Sequence, residues 1–250
     1  MIGSFKFKLV GTFLALSLLP LAAAFWGFSE VAERSVKEGT DSRLGAGLSA
    51  ALAAFEDERR AMKRVAERLG RDPRFQAALA RRDRTALLEL LRETPSLRVE
   101  TPDGFTVGRA PRRAAETTVS LVGPGAHYAS IVAAVEVDGQ LARRLHLRSG
   151  LTGSDRLAIV GPDRRVWVAS SSGVRGVARL PPGRVSTGWI GERSYRAIRA
   201  RLGPEGELVL AALTPSSAIA SEKRSVIGRL LLGLLGSLLL IAFVAYVAGR

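Results

Sequence analysis

The sequence predicts an α+β domain, with long N-terminal helices followed by an antiparallel sheet, flanked by two transmembrane helices. Three observations predict it. Two charge-free apolar runs, Leu9–Phe28 and Leu230–Ala248, bracket the chain. From Ser29 to Leu91 apolar residues recur at helical spacing, and from Leu97 onward they alternate, with turn signals between the runs.

At 1.5 Å per helical residue, either apolar run crosses ~30 Å of hydrocarbon. Lys6 and Lys8 precede the first run and Arg250 follows the second. Positive charge on these short flanks puts residues 1–8 and 249–250 in the cytoplasm, and residues 29–229 outside a cytoplasmic (inner) membrane. Trp26 suits an interfacial anchor, and Arg229 can snorkel. Two other readings compete. Residues 1–24 resemble a cleaved signal peptide with Ala22-Ala23-Ala24 at its end, but apolar sequence continues through Phe25-Trp26. Buried core helices are disfavoured by the length of both uncharged runs.

A long helix is expected over 29–70. Leu44, Leu48, Leu52, Phe55, Met62, Val65 and Leu69 form one stripe, while Gly39, Gly45 and Gly47 predict a weakened or broken start. Glu56–Arg60 reads as a solvated face. Asp72-Pro73 signals a new helix start and Asp83 another, giving helices over 73–94 that stop at Pro95.

The sheet region is 97–214. Leu97–Glu100 and Phe105–Val107 flank a Thr101–Gly104 turn, and Thr117–Val122 and Tyr128–Val137 follow. Asp138-Gly139 opens a short helix over Gln140–Leu147. Leu157–Val160 and Val166–Val168 make a second hairpin, 173–183 reads as loop, and Arg184–Ile190, Ser194–Ile198 and Glu207–Leu213 complete about eight strands in one meander.

Composition narrows the chemistry. The net charge of +14, from 32 Arg and 5 Lys among the bases, would suit a nucleic-acid binder. Setting aside Lys6, Lys8 and Arg250 leaves 34 bases and 23 acids in the exported segment, a charge of +11, and that location removes nucleic acid as a partner. Residues 138–201 hold 13 Arg against four acids, whereas 114–137 hold no base. The absence of Cys and Asn excludes disulfides, thiolate metal sites and N-glycosylation; two His leave little for a metal. No phosphate loop, zinc-protease, nucleophile-elbow or calcium-loop motif occurs. No catalytic residue, metal or cofactor is therefore expected, and Ser170-Ser171-Ser172 lacks a sequence-supported base.

Arginines near aromatics are the better binding candidates, since guanidinium groups take carboxylate or phosphate and aromatic walls enclose the rest of a small ligand. The candidate residues are His127, Tyr128, Trp167, Tyr195 and Arg196. Alternation lets only one of Tyr195 and Arg196 point inward. Packing is the competing role for Tyr128 and Trp167, and a solvated strand edge for Arg193, Arg196, Arg199 and Arg201. Gly11/Ala15 and Gly233/Ser237 are small-residue pairs that allow close approach of spans.

The order of elements resembles the Cache-type (PAS-like) extracytoplasmic sensor domains of bacterial receptors. The resemblance rests on the long helix ending near Leu69, the helical pair from Asp72-Pro73 to Leu91, and the Pro102-Asp103-Gly104 hairpin. Val137–Leu141, the 157–168 hairpin and the strand ending Leu213-Thr214-Pro215 add to it. It implies a small extracytoplasmic ligand, a homodimer, and a second span leading to a HAMP linker and then a histidine kinase, diguanylate cyclase or chemotaxis module. Tyr246–Arg250 looks like the approach to such a linker. The double-Cache amino-acid signature is not recognisable, and the basic segment favours an anionic ligand. The expected function is thus a transmembrane sensor relaying to an output module or partner outside this chain. The alternative is a non-sensing, membrane-anchored envelope protein whose basic domain holds a protein partner or anionic lipid headgroups.

Overall fold

In the computed structural model, helix α1 runs unbroken over Ile2–Arg71. The backbone of residues 2–123, 126–203 and 207–248 is described, with side chains at most of those positions; the side chains of 2–19, His127 and 244–248 are among those outside the description. The chain divides into two compact units, one of residues Arg43–Thr214 and one of Met1–Ser42 with Pro215–Arg250.

Within residues 43–71, the face of α1 is set by the stripe the spacing predicts. Leu44, Leu48, Ala51 and Phe55 are buried in one core, and Ala66 in another, with Met62 touching both. The glycines do not break the helix. At Gly47 a Cβ would stand 2.5 Å from Leu151 Cδ2, and at Gly70 one would stand 2.5 Å from Leu121 Cδ2. These two glycines let other elements approach the helix closely, and tertiary packing outweighs their poor helix propensity. The charged block is only partly a free face: Glu56 pairs with Arg59, and Asp57 with Arg60, but Glu58 reaches Arg144 and Arg148 at 3.4 and 3.9 Å.

Helix α2 (Pro73–Ala80) starts where the Asp-Pro pair predicts, with Asp72 accepting from the Arg74 N–H at 2.8 Å; α3 (Arg84–Leu91) is capped by Asp83, which accepts from the Ala86 N–H at 3.0 Å. Strands β1 (Leu97–Glu100), β2 (Thr106–Gly108), β3 (Ala114–Gly123) and β4 (Ala126–Glu136) form an antiparallel sheet in the order β2-β1-β4-β3. Its register sets Val99 against Ile131 and Leu97 against Ala133, over a core shared with Phe75, Leu79, Leu87 and Leu91.

Helix α4 (Gly139–Ser149) follows, with Asp138 accepting from the Leu141 N–H at 2.7 Å and Gly150 closing it at φ 70°. A second antiparallel sheet comprises β5 (Arg156–Val160), β6 (Val166–Ala169), β7 (Ala178–Arg179), β8 (Ser186–Ile190), β9 (Arg193–Leu202) and β10 (Leu208–Pro215), in the order β6-β5-β10-β9-β8-β7. One face packs on α1 and α4 through Leu141, Leu145, Leu157, Ile159 and Leu210; the other gathers Ala158, Tyr195, Ala211 and Leu213. Helix α5 (Ser216–Ala248) leaves from β10.

The expectation of one sheet with about eight strands is corrected to two sheets with ten strands among the described residues. Helix α4 intervenes between β4 and β5, so β4 pairs only with β1 and β3, while β5 turns to β6 and β10. The loop expected at 173–183 contains β7. Among the described residues, no helix is long and apolar enough to cross a membrane. The runs 9–28 and 230–248 fall in large part on residues whose side chains are outside the description.

Candidate functional site

A cleft of about 240 Å³ opens where the edge strand β3 of the first sheet approaches the edge strand β6 of the second. Its floor is Leu202 and Leu208, buried at the end of β9 and the start of β10. Trp167 on β6 and Ala114-Ala115 on β3 form walls, and Arg59 of α1, Arg112, Glu116 and Glu207 bring charge to it.

The position of Trp167 follows from the β5–β6 hairpin. A Cβ on Gly161 would lie 2.2 Å from the Trp167 Nε1 and Cε2 atoms, so the ring lies directly on the glycine backbone. Arg113 stands over the ring, its Cζ 5.5 Å from the ring centre, and its Nη1 donates to the Trp167 carbonyl at 3.0 Å. The chain just before β3 is in turn held by the Val137 N–H, which donates to the Arg113 carbonyl at 2.9 Å. The Trp is thereby fixed from two sides.

The charges of the cleft divide by partner. Arg59 donates through Nε and Nη2 to one oxygen of Glu56, at 3.1 and 2.9 Å. Glu116 lies 3.6 Å from Arg98, which also contacts Glu100 at 2.7 Å. Arg112 and Glu207 are exposed and have no partner among the described residues. Among the described residues the cleft therefore offers one guanidinium and one carboxylate without partners, and a half-buried indole. No cluster of metal-ligating side chains occurs among the described residues.

No protein-family model matches the sequence, and no curated protein matches it. Solved structures do. The chain is similar to the ligand-binding domain of the Pseudomonas fluorescens chemoreceptor CtaA in complex with L-isoleucine, at TM-score 0.51 and 10% identity, over 76% of this chain and 98% of that one. It is similar to the sensory domain of the Campylobacter jejuni chemoreceptor Tlp3 (CcmL) with isoleucine bound, at 0.50 and 8%, over 75% and 97%. The V. cholerae histidine kinase DctB sensor domain aligns at 0.48 and 12%, over 73% and 97%. The chain has the fold of a Cache-type sensor domain.

Within this Cache fold the five residues singled out from the sequence are not brought together. Trp167 lines the cleft. Tyr128 packs against the core of the first sheet, and Tyr195, 3% exposed, lies in the core on the far face of the second. Arg196, beside Tyr195 on β9, pairs across to Thr187 on β8. The side chain of His127 lies outside the described residues. Arg112, Arg113 and Glu207 were missed. The signal for the two arginines is their pairing immediately before 114–137, the stretch with no base at all; Glu207 carries no such signal.

Proposed function

We propose that this chain is a membrane-anchored sensor whose Cache domain binds a small carboxylate-bearing ligand in the cleft beside Trp167. The observation that carries this reading is Arg112, a guanidinium with no partner among the described residues, on the rim of a cleft walled by an immobilised indole. Arg112 takes the carboxylate as a planar fork, and Trp167 covers the body of the ligand. Glu207 stands ready for an amino group if the ligand carries one. At about 240 Å³ the cleft is smaller than a drug-sized pocket, which suits a metabolite of a few carbons.

The membrane part of the proposal is supported by exposure as well as by charge-free length. Trp26 and Phe28 near one end of the chain, and Leu232, Leu239, Leu240 and Phe243 near the other, are each exposed by 64% or more. Clustered apolar surface of this kind calls for lipid or a partner. The remaining parts are a domain outside the cytoplasmic membrane, a homodimer through α1 and its span, and relay through α5 to a cytoplasmic output module. Ligand binding acts by favouring one arrangement of the domain, through its higher affinity for that arrangement.

The test is a thermal-shift series on the full chain in detergent, with succinate, L-isoleucine, inorganic phosphate and glucose as probes. Succinate or isoleucine is expected to raise Tm in the wild type, and Arg112→Ala and Trp167→Ala to abolish that rise while leaving the ligand-free Tm within a few degrees. Stabilisation by glucose alone, or a shift that survives both substitutions, would refute the cleft. The absence of any shift would favour the non-sensing envelope protein.

A further inference from the structure

We propose that Asp155 ties the helix entering the domain to the strand leaving it, so that a displacement at one is transmitted to the other. Its role in signalling rests on the sensor reading above, but the tie itself does not.

Asp155 is the only buried charged side chain among the described residues, with 0% exposure. It stands just before β5 and accepts from two elements distant in sequence. Arg43 on α1 donates through Nε to Oδ2 at 2.6 Å and through Nη2 to Oδ1 at 3.4 Å. Thr214 near the end of β10 donates through Oγ1 to Oδ1 at 2.6 Å, and Thr214 is itself 2% exposed.

The placement matters more than the strength. Leu213 opposite Arg156 is the last pair of the β10–β5 ladder. Pro215 follows Thr214 and has no N–H to extend that ladder. The Thr214 hydroxyl thus adds a side-chain hold just past the last β10–β5 pair, two residues before α5 begins at Ser216. The opposite partner, Arg43, sits one residue before Leu44, where the buried stripe of α1 starts. One carboxylate thereby grips the chain at both points where it enters and leaves unit Arg43–Thr214.

Stability alone does not call for a carboxylate here: Asp155 is buried while the Arg43 side chain is 39% exposed, and well-packed apolar side chains often match or better a buried charge and its partner. An apolar contact also tolerates sliding. A carboxylate with a two-pronged guanidinium on one side and a hydroxyl on the other has directional bonds, so a movement of either partner must drag or break the tie.

The test is native-state hydrogen exchange of the full chain in detergent, read by mass spectrometry on peptides 36–42 and 216–222, with 97–136 as the internal reference. Thr214→Val, nearly isosteric, is expected to speed exchange at 216–222 by about tenfold and leave 36–42 within about twofold; Arg43→Gln gives the reverse, and Asp155→Asn loosens both. Thr214→Ser, which keeps the hydroxyl, restores the wild-type pattern. The proposal is overturned if Thr214→Val behaves as wild type, if 97–136 rises in step with the other peptides, or if Asp155→Asn loosens one end alone. Should Asp155→Asn fail to fold, the Thr214 pair still decides. No ligand enters the measurement, so a failed tie leaves the cleft reading standing, and a failed cleft leaves the tie.

Discussion

Two glycines two residues apart on α1 should respond oppositely to the same substitution. Gly45→Ala and Gly47→Ala each replace the poorest ordinary helix former with the best, a gain of about 1 kcal/mol in a helix interior. Around Gly45 no atom lies within 4 Å of the new methyl, so the full gain is expected. At Gly47 the methyl would meet Leu151 Cδ2 at 2.5 Å and Cγ at 2.6 Å. Leu151 is 5% exposed and packed in the core with Leu48 and Leu145, so it has no open space to swing into. Overpacking of this kind costs about 1–3 kcal/mol. The net for Gly47→Ala is therefore between no change and a loss of about 2 kcal/mol, against a gain of about 1 for Gly45→Ala.

Urea unfolding of the full chain in detergent reads the difference through Trp167 and Trp189, which both lie within residues 43–214. The decisive arm uses Leu151→Ala as a second background. That variant alone costs about 2–5 kcal/mol, but it removes the atoms the methyl strikes. In that background Gly47→Ala should change sign and stabilise by up to about 1 kcal/mol, while Gly45→Ala should gain the same amount in either background. Equal effects at the two glycines, or a Gly47→Ala effect that ignores Leu151, would refute close approach as the reason for Gly47.

Two further outcomes are expected. Burial lowers the His146 imidazole below its usual range, with help from the Arg156 guanidinium and against the pull of the Asp155 carboxylate. A folded-state value below the unfolded 6.5 means the unfolded chain takes up the proton first, so stability is full above about pH 6.5 and is lost as pH falls below it. The urea midpoint should drop between about pH 7.5 and about pH 5.5, and His146→Gln should flatten that drop; a drop that persists unchanged assigns it elsewhere. Gly161→Ala places a methyl 2.2 Å from the Trp167 ring, so the indole must leave its seat; the succinate-induced Tm shift should vanish and the Trp emission maximum should move, whereas an intact shift would detach Trp167 from binding.

Much of the fold was legible because its signals are local. Asp72, Asp83 and Asp138 each cap a helix by accepting a backbone N–H within three residues, and those caps are read directly from residue type and spacing. The alternation of buried and half-buried residues along β1 is likewise a local property. The division into two sheets was not legible, because it depends on which distant strands pair: β1 with β4 past β2 and β3, and β5 with β10 some fifty residues later. The glycines of α1 misled for the same reason. Propensity is a property of the residue, whereas the contact of Gly47 with Leu151 joins positions that only the folded chain brings together.

The site was less legible than the fold, and charge counting shows why. The surplus marked residues 138–201 as a whole, yet several of those arginines are already committed: Arg144 and Arg148 on α4 to Glu58, Arg156 on β5 to backbone carbonyls. What a ligand can use is not the density of charge along the chain but the charge left over after internal pairing. Among the described residues Arg112 is such a remainder, and it lies outside the basic segment altogether. The same reasoning separates the two carboxylates that matter. On the proposed reading, Asp155, bonded to Arg43 and Thr214, acts mechanically, while Glu207, without a partner among the described residues, acts in recognition at the cleft. A sensor needs both kinds, one to distinguish the ligand and one to hold the moving parts in register, and here they reside in different places on the second sheet and its approaches.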